Sequence, residues 1–86
     1  MKYILVVFLY SADCNLQEIR SLSCVPEDIV LSDIFYENLR DCRDHAESGQ
    51  AVYDVLGDKK IRKWKVPHCE TYSRALSMKR NASRGI

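Results

Sequence analysis

The chain has 86 residues and a mass of 10.0 kDa, with 47% hydrophobic and 29% charged residues. These proportions are globular and exclude collagen, coiled-coil and disordered chains. The length predicts a single domain over residues 1–86, with residues 81–86 as a frayed tail. A chain this short leaves little room for a substrate cleft, and it contains no phosphate-binding glycine loop or serine-hydrolase motif. We therefore expect neither enzyme activity nor a cofactor.

The first feature along the chain is the uninterrupted apolar run Tyr3–Tyr10. Its valines, isoleucine and aromatic residues predict a β-strand that is buried on both faces. Residues 1–12 also resemble a short secretory signal, but Tyr10 stands where cleavage after Ala12 requires a small residue. The run is far shorter than the roughly 20 residues that a membrane span needs. We expect a cytoplasmic protein that does not bind membranes, with secretion as the alternative.

The next segment, Leu16–Val25, has mixed signals. Leu16, Ile19 and Leu22 follow a spacing of three, which suits a helix. The serines between them, followed by Val25 and Pro26, suit an edge strand instead. We favour the strand, and the helix stays open as the alternative.

The segment Ser32–Ser48 is predicted to be the main helix. Ser32 is a good N-cap, Asp33 complements the helix dipole, and Gly49 follows where a helix commonly ends. The predicted apolar stripe consists of Phe35, Leu39, Cys42 and Ala46. An acidic surface covers much of the rest of this helix, and its members are Glu37, Asp41, Asp44 and Glu47.

The C-terminal part of the chain reads as a β-hairpin and a short helix. Residues 50–56 and 61–66 are strand-like runs on either side of a glycine-containing turn, and Pro67 ends the second run or marks an edge position. The apolar residues of the short helix are Tyr72, Ala75, Leu76 and Met78. The predicted fold is α+β, with a small antiparallel sheet of three to four strands and one main helix packed on it.

The net charge of +1 conceals two opposite halves. Residues 1–58 carry 11 acidic and four basic residues, whereas residues 59–86 carry nine basic residues and one acidic residue. This asymmetry indicates either a basic face for an anionic partner or two surfaces that neutralise each other on folding.

The basic half supplies the strongest binding prediction. Lysine and arginine attract phosphate, and an exposed tryptophan can stack on an unpaired base. The predicted basic patch consists of Lys59, Lys60, Arg62, Lys63, Trp64, Lys65, Arg74, Lys79 and Arg80. The alternative is that Trp64 lies in the core and the lysines protect an edge strand from aggregation.

Four cysteines raise the questions of disulfides, metal and catalysis. They are Cys14, Cys24, Cys42 and Cys69. An even count suits disulfides in an exported protein, but the weak export signal favours reduced thiols in the cytoplasm. A zinc site would have to use Cys42, His45, His68 and Cys69, and no other local signal supports a catalytic Cys–His pair among them. We expect no metal, because the usual paired-ligand spacing is missing and neighbouring strand residues point to opposite faces.

The layout of an N-terminal apolar strand (Tyr3–Tyr10) and a late Val66–Cys69 strand end resembles small single-domain proteins of phages and prophages. The similarity is one of arrangement and includes anti-CRISPR proteins and other inhibitors of host or defence machinery. It implies a non-catalytic protein-binding module that inhibits a host nucleoprotein or defence complex. The alternative is direct nucleic-acid binding through Lys59–Lys65 and the C-terminal tail.

Overall fold

The structure is a computed structural model, and it describes residues 2–57 and 64–84. It is an α+β fold with a three-stranded antiparallel sheet, as predicted. The elements in chain order are β1 (Tyr3–Tyr10), α1 (Leu16–Arg20), β2 (Asp28–Tyr36), α2 (Leu39–Glu47), α3 (Ala51–Leu56), β3 (Trp64–Thr71) and α4 (Tyr72–Arg84). Among these elements, no helix has the length and apolar content needed to cross a membrane.

Strand β1 is the centre of the sheet. The strand order is β2-β1-β3, and β1 runs antiparallel to both neighbours. Its residues from Ile4 to Val7 are at most 1% exposed. This confirms the predicted strand with two buried faces, and it explains why the run contains no charged residue.

The two faces of β1 pack against different helices. On one face, Ile4 and Val6 contact Ala75 of α4, and Tyr10 clusters with Ile19 of α1. On the other face, the odd-numbered residues pack against α2 and α3. The core of this second face includes Leu5, Val7, Leu9, Cys42, Ala51 and Leu56. The sheet is therefore covered on both sides, rather than by one main helix as predicted.

The predicted strand over Leu16–Val25 is wrong, because residues 16–20 form helix α1. The helix starts at a capping box, in which the Asn15 side chain accepts from the Glu18 backbone N–H and the Glu18 carboxylate accepts from the Asn15 N–H. These two bonds satisfy backbone donors that would otherwise be unpaired at the start of the helix.

The predicted helix over Ser32–Ser48 is wrong in its first part. Residues 28–36 form strand β2, and α2 begins only at Leu39 after the N-cap Asn38. Ile34, Phe35 and Tyr36 are β-branched or aromatic, and pairing with the central strand outweighs their place in the helical stripe. Glu37 and Phe35 are consequently not on the helix.

The predicted hairpin is also wrong, because its first strand is helix α3. Apolar residues recur at a spacing of four in this segment, and both Ala51 and Leu56 are buried against the sheet. The predicted turn lies mostly outside the described residues, as does the run 61–63. The C-terminal helix α4 is longer than predicted and continues through Arg84, into the segment expected to fray.

Strand β3 lies at an edge of the sheet and contains Pro67 near its middle. Proline has no backbone N–H, so it is tolerated where that position faces away from the neighbouring strand. This confirms the interpretation of Pro67 as an edge marker.

The four cysteines form two disulfides, Cys14–Cys24 and Cys42–Cys69, so the expectation of reduced thiols is wrong for this structure. The first disulfide closes a loop around α1, and the second joins α2 to the edge strand β3. Their Cα atoms are 6.3 and 6.0 Å apart, respectively. The sequence allowed three connectivities of two disulfides, and the fold selects the one in which each cysteine is bonded to its neighbour in space.

The disulfides should contribute unequally to stability. They span sequence separations of 10 and 27 residues, and the entropy lost by the unfolded chain grows with loop length. We expect Cys42→Ala/Cys69→Ala to lower the free energy of unfolding by about 3.5 kcal/mol and Cys14→Ala/Cys24→Ala by about 2.7 kcal/mol. Urea titrations of both double variants measure this. A larger loss from the Cys14–Cys24 pair would contradict the prediction.

Candidate functional site

The loop closed by Cys14–Cys24, which we call the cystine loop, lies at the end of the sheet where β1 ends. Its two sulfur-bearing residues pack with Ile19 and Tyr10, which anchors the loop to the core. The Trp64 indole N–H also donates to the Cys14 carbonyl at 2.5 Å. A disulfide, a core cluster and a tryptophan bond therefore fix the base of this loop.

Leu22 has an unusual conformation within the cystine loop. Its φ is +62°, the only positive value at a non-glycine residue in the part of the chain described. Helix α1 ends in a Schellman motif, in which Ser23 N–H bonds to the Glu18 carbonyl at 2.9 Å and Leu22 N–H to the Ile19 carbonyl at 3.3 Å. Glycine is usual at the residue after the cap, because a side chain there costs about 1–2 kcal/mol.

Packing of the Leu22 side chain does not offset this conformational free energy, because the side chain is 82% exposed. Val25 is 76% exposed, and Leu16 at the start of α1 is 45% exposed. Three large apolar side chains thus face solvent within ten residues of the chain, on a segment with a fixed base. These three side chains are the candidate contact residues of the loop.

The predicted basic patch is only partly described. Lys59, Lys60, Arg62 and Lys63 lie outside the described residues. Trp64 is 43% exposed, so it is not a core residue, although its N–H is bonded to the cystine loop. Lys65 is half-buried on β3.

Two basic residues of α4, Arg74 and Lys79, lie beside acidic partners. Arg74 lies 3.3 Å from Glu70, and Lys79 lies 3.0 Å from Asp28 and donates to the Ile29 carbonyl at 2.6 Å. Arg80 is exposed. In the described part of the chain, Lys79–Asp28 is an ion pair between the two charged halves, whereas Arg74–Glu70 lies within the basic half.

The four predicted acidic residues do not share one face of a helix. Glu37 precedes α2, and Asp41 bonds to the N-cap residue Asn38, with its N–H 2.9 Å from the Asn38 amide oxygen. Asp44 and Glu47 are exposed further along α2. Asp41, Asp44 and Glu47 are all exposed on α2, and the Asp41 carboxylate also accepts a hydrogen bond from the Asn38 side-chain amide at 3.0 Å.

The four candidate zinc ligands are not assembled around one point. Cys42 and Cys69 are bonded to each other, whereas His68 stacks on Phe8 across the opposite face of the sheet and bonds to Glu70 at 2.8 Å. His45 bonds to other partners. Within residues 2–57 and 64–84, no group of three or more potential ligands could hold a metal ion.

A hydrogen-bonded chain links Tyr36, His45 and Asp54. The Asp54 carboxylate accepts from the His45 Nε2–H at 2.6 Å, so Nδ1 is left to accept from the Tyr36 hydroxyl. Burial raises the pKa of the Tyr36 hydroxyl, and the Asp54 and Asp41 carboxylates raise it further. A raised pKa keeps the hydroxyl neutral, which is the opposite of what a nucleophile needs. We call the hydrogen-bonded side chains of Tyr36, His45 and Asp54 the polar tie, because they connect the end of β2 to helices α2 and α3.

Sequence reasoning missed the cystine loop and Leu22. The Asn15-x-x-Glu18 spacing could have identified the start of α1, because it is a capping-box pattern. No local signal marks Leu22, since leucine is not a residue expected at a positive φ. Comparison with known proteins adds no assignment, because no family model, curated protein or solved structure matches the chain.

Replacing Leu22 with glycine should stabilise the fold. Glycine adopts φ +62° without steric cost, and the side chain that is lost makes little contact. We expect Leu22→Gly to raise the free energy of unfolding by about 0.5–1 kcal/mol, measured by urea titration. The neighbouring Ser21, whose φ is −86°, provides the control. Ser21→Gly should lower stability, and a loss of stability in Leu22→Gly would be inconsistent with the conformation described.

The polar tie should make the protein sensitive to alkali. The pKa values of Tyr36 and Tyr10 are raised in the folded state. The two neutral hydroxyls therefore contribute fully to the free energy of unfolding below about pH 10, and this contribution is lost as the pH rises through the raised pKa values. We expect the free energy of unfolding to fall above pH 10. Tyr36→Phe should be less stable at pH 7 but show a shallower alkaline decline, whereas Tyr53→Phe, at an exposed tyrosine, should retain the wild-type slope. Identical slopes for all three proteins would refute the prediction.

Proposed function

We propose that this protein is a non-catalytic protein-binding module and that the cystine loop is its contact surface. The single observation that carries the proposal is Leu22, which is 82% exposed in a backbone conformation that disfavours leucine. Residues kept in such conformations at a cost to stability cluster at functional sites. Leu22 is best explained as a side chain that a partner buries.

The chemistry of the loop indicates the kind of partner. Leu22, Val25 and Leu16 offer apolar contacts, and the base of the loop is held by a disulfide, which reduces the entropy lost on binding. Acidic residues flank this segment in the sequence, and they are Asp13, Glu18 and Glu27. A protein with an apolar pocket and a basic rim would complement these features.

Direct nucleic-acid binding is the weaker proposal. Arg74 and Lys79 are within ion-pair distance of acidic residues, which lowers their attraction for phosphate. The acidic residues around the cystine loop would repel a nucleic acid. The inhibition of a host nucleoprotein or defence complex, which the phage-like layout implies, is a narrower form of the protein-binding proposal.

The two disulfides also favour an oxidising compartment as the place of action. Structural disulfides form and persist outside the reducing cytoplasm. We therefore favour an oxidising compartment over the cytoplasmic expectation. A cleaved signal over residues 1–12 is not part of this proposal, because residues 3–10 form the central strand β1.

The test separates binding from folding by using Leu22→Gly. This variant is expected to be more stable than the wild type, so a loss of binding cannot be attributed to unfolding. We expect affinity capture from the native host, followed by quantitative mass spectrometry, to recover a partner with the wild type and to lose it at least tenfold with Leu22→Gly.

Phe35→Ser is the matched control, because Phe35 is a large apolar residue, 45% exposed, that pairs with Ile4 near the start of β1. It should retain the partner. A partner that binds the wild type and Leu22→Gly equally would exclude the cystine loop as the contact surface.

A further inference from the structure

A groove lies between helix α2 and the edge strand β3. It has a volume of about 450 Å³, and Leu39, Arg43 and Glu47 line its helical wall. Residues 67–71 of β3 line the opposite side. The Cys42–Cys69 disulfide joins the two walls, so the helix is held in place over the strand.

The outer edge of β3 faces this groove, and no strand pairs with it within residues 2–57 and 64–84. Tyr72 N–H bonds to the Lys2 carbonyl at 3.1 Å, which continues the β1–β3 ladder and makes the even-numbered residues of β3 the ones bonded to β1. The odd-numbered residues therefore direct their N–H and C=O groups outward. This register also explains why the strand tolerates proline at position 67, because a backbone N–H at that position would point to the outer edge and not to β1.

Pro67 confines the usable edge to the C-terminal half of β3. Beyond it, the Cys69 and Thr71 N–H groups are the outward donors, and the Pro67 and Cys69 carbonyls are the outward acceptors. Strand β3 pairs only with β1 among residues 2–57 and 64–84. A short extended chain is the ligand that satisfies alternating donors and acceptors of this kind.

We propose that this groove binds a short extended peptide, which adds to the sheet beside residues 67–71 under the wall formed by α2. The site is separate from the cystine loop. Four outward groups match a peptide segment of three to four residues.

The charges of the helical wall specify the peptide further. Arg43 and Glu47 lie one helical turn apart, and no ion pair joins either to another residue in the described part of the chain. Alternate residues of an extended chain face the same way at about 6.8 Å, close to the rise of about 6.0 Å over four residues of a helix. A peptide with an acidic and a basic residue two positions apart would pair with both.

The probe is the acetylated and amidated octapeptide Ser-Thr-Val-Glu-Val-Lys-Val-Thr, titrated into the full chain under oxidising conditions. We expect NMR shifts concentrated at the Cys69 and Thr71 amides, together with slower hydrogen exchange at both. An absence of shifts at millimolar peptide would overturn the proposal.

Backbone methylation tests strand pairing directly. Two versions of the peptide carry N-methyl groups on alternate sets of residues. A peptide in a β-ladder directs only one set of N–H groups at the protein, so one version should lose binding at least tenfold and the other should retain it. Equal binding by both versions would contradict strand addition.

Arg43 provides the test of charge. Arg43→Glu, at an exposed residue, should weaken binding of the octapeptide about threefold, within the range of exposed ion pairs, and a peptide with lysine in place of glutamate should reverse the preference. Arg43→Gln should be intermediate. Amide shifts that depend on protein concentration without peptide would show a second copy in the groove and would also overturn the proposal.

Discussion

The burial of β1 on both faces is the constraint on which the rest of this structure depends. Each large apolar side chain in the strand contributes about 1.5–3 kcal/mol only if both sides of the sheet are covered. In this chain of 86 residues, short helices bury the two faces of the sheet, with two helices on each face. Little apolar material is left, so the small core is supplemented by disulfides and polar ties.

The two disulfides have different consequences for the surface. Cys42–Cys69 connects α2 to an edge strand and maintains a groove beside unpaired backbone groups. Cys14–Cys24 closes a loop that carries exposed leucine and valine. In a protein of this size, the same covalent bonds that compensate for a small core also fix the two surfaces that are most suited to binding.

The sequence was most informative where one physical signal dominated. The apolar run of β1 identified a doubly buried strand, Gly49 marked the end of α2 with its φ of +82°, and Pro67 marked an edge. The class of fold followed from these elements. The later, correctly placed part of the predicted main helix depended on the spacing of Leu39, Cys42 and Ala46.

The errors arose where local signals competed with tertiary contacts. Ser32 was a plausible N-cap, but residues 32–36 pair with the central strand, and Asn38 caps the helix instead. The serines of the cystine loop suggested a strand, whereas the Asn15–Glu18 capping box produced a helix. The candidate site was less predictable than the fold, since disulfide pairing and the positive φ of Leu22 depend on distances that a sequence does not contain.

The pairing of the cysteines is the central claim, because both proposed surfaces depend on it. Tryptic digestion without reduction tests it most directly, since Arg20 separates Cys14 from Cys24, and Cys42 lies alone in a three-residue peptide. We expect two linked species, in which residues 3–20 are joined to 21–40 and residues 41–43 are joined to 66–74. Free thiols, or a link between residues 3–20 and 41–43, would contradict it.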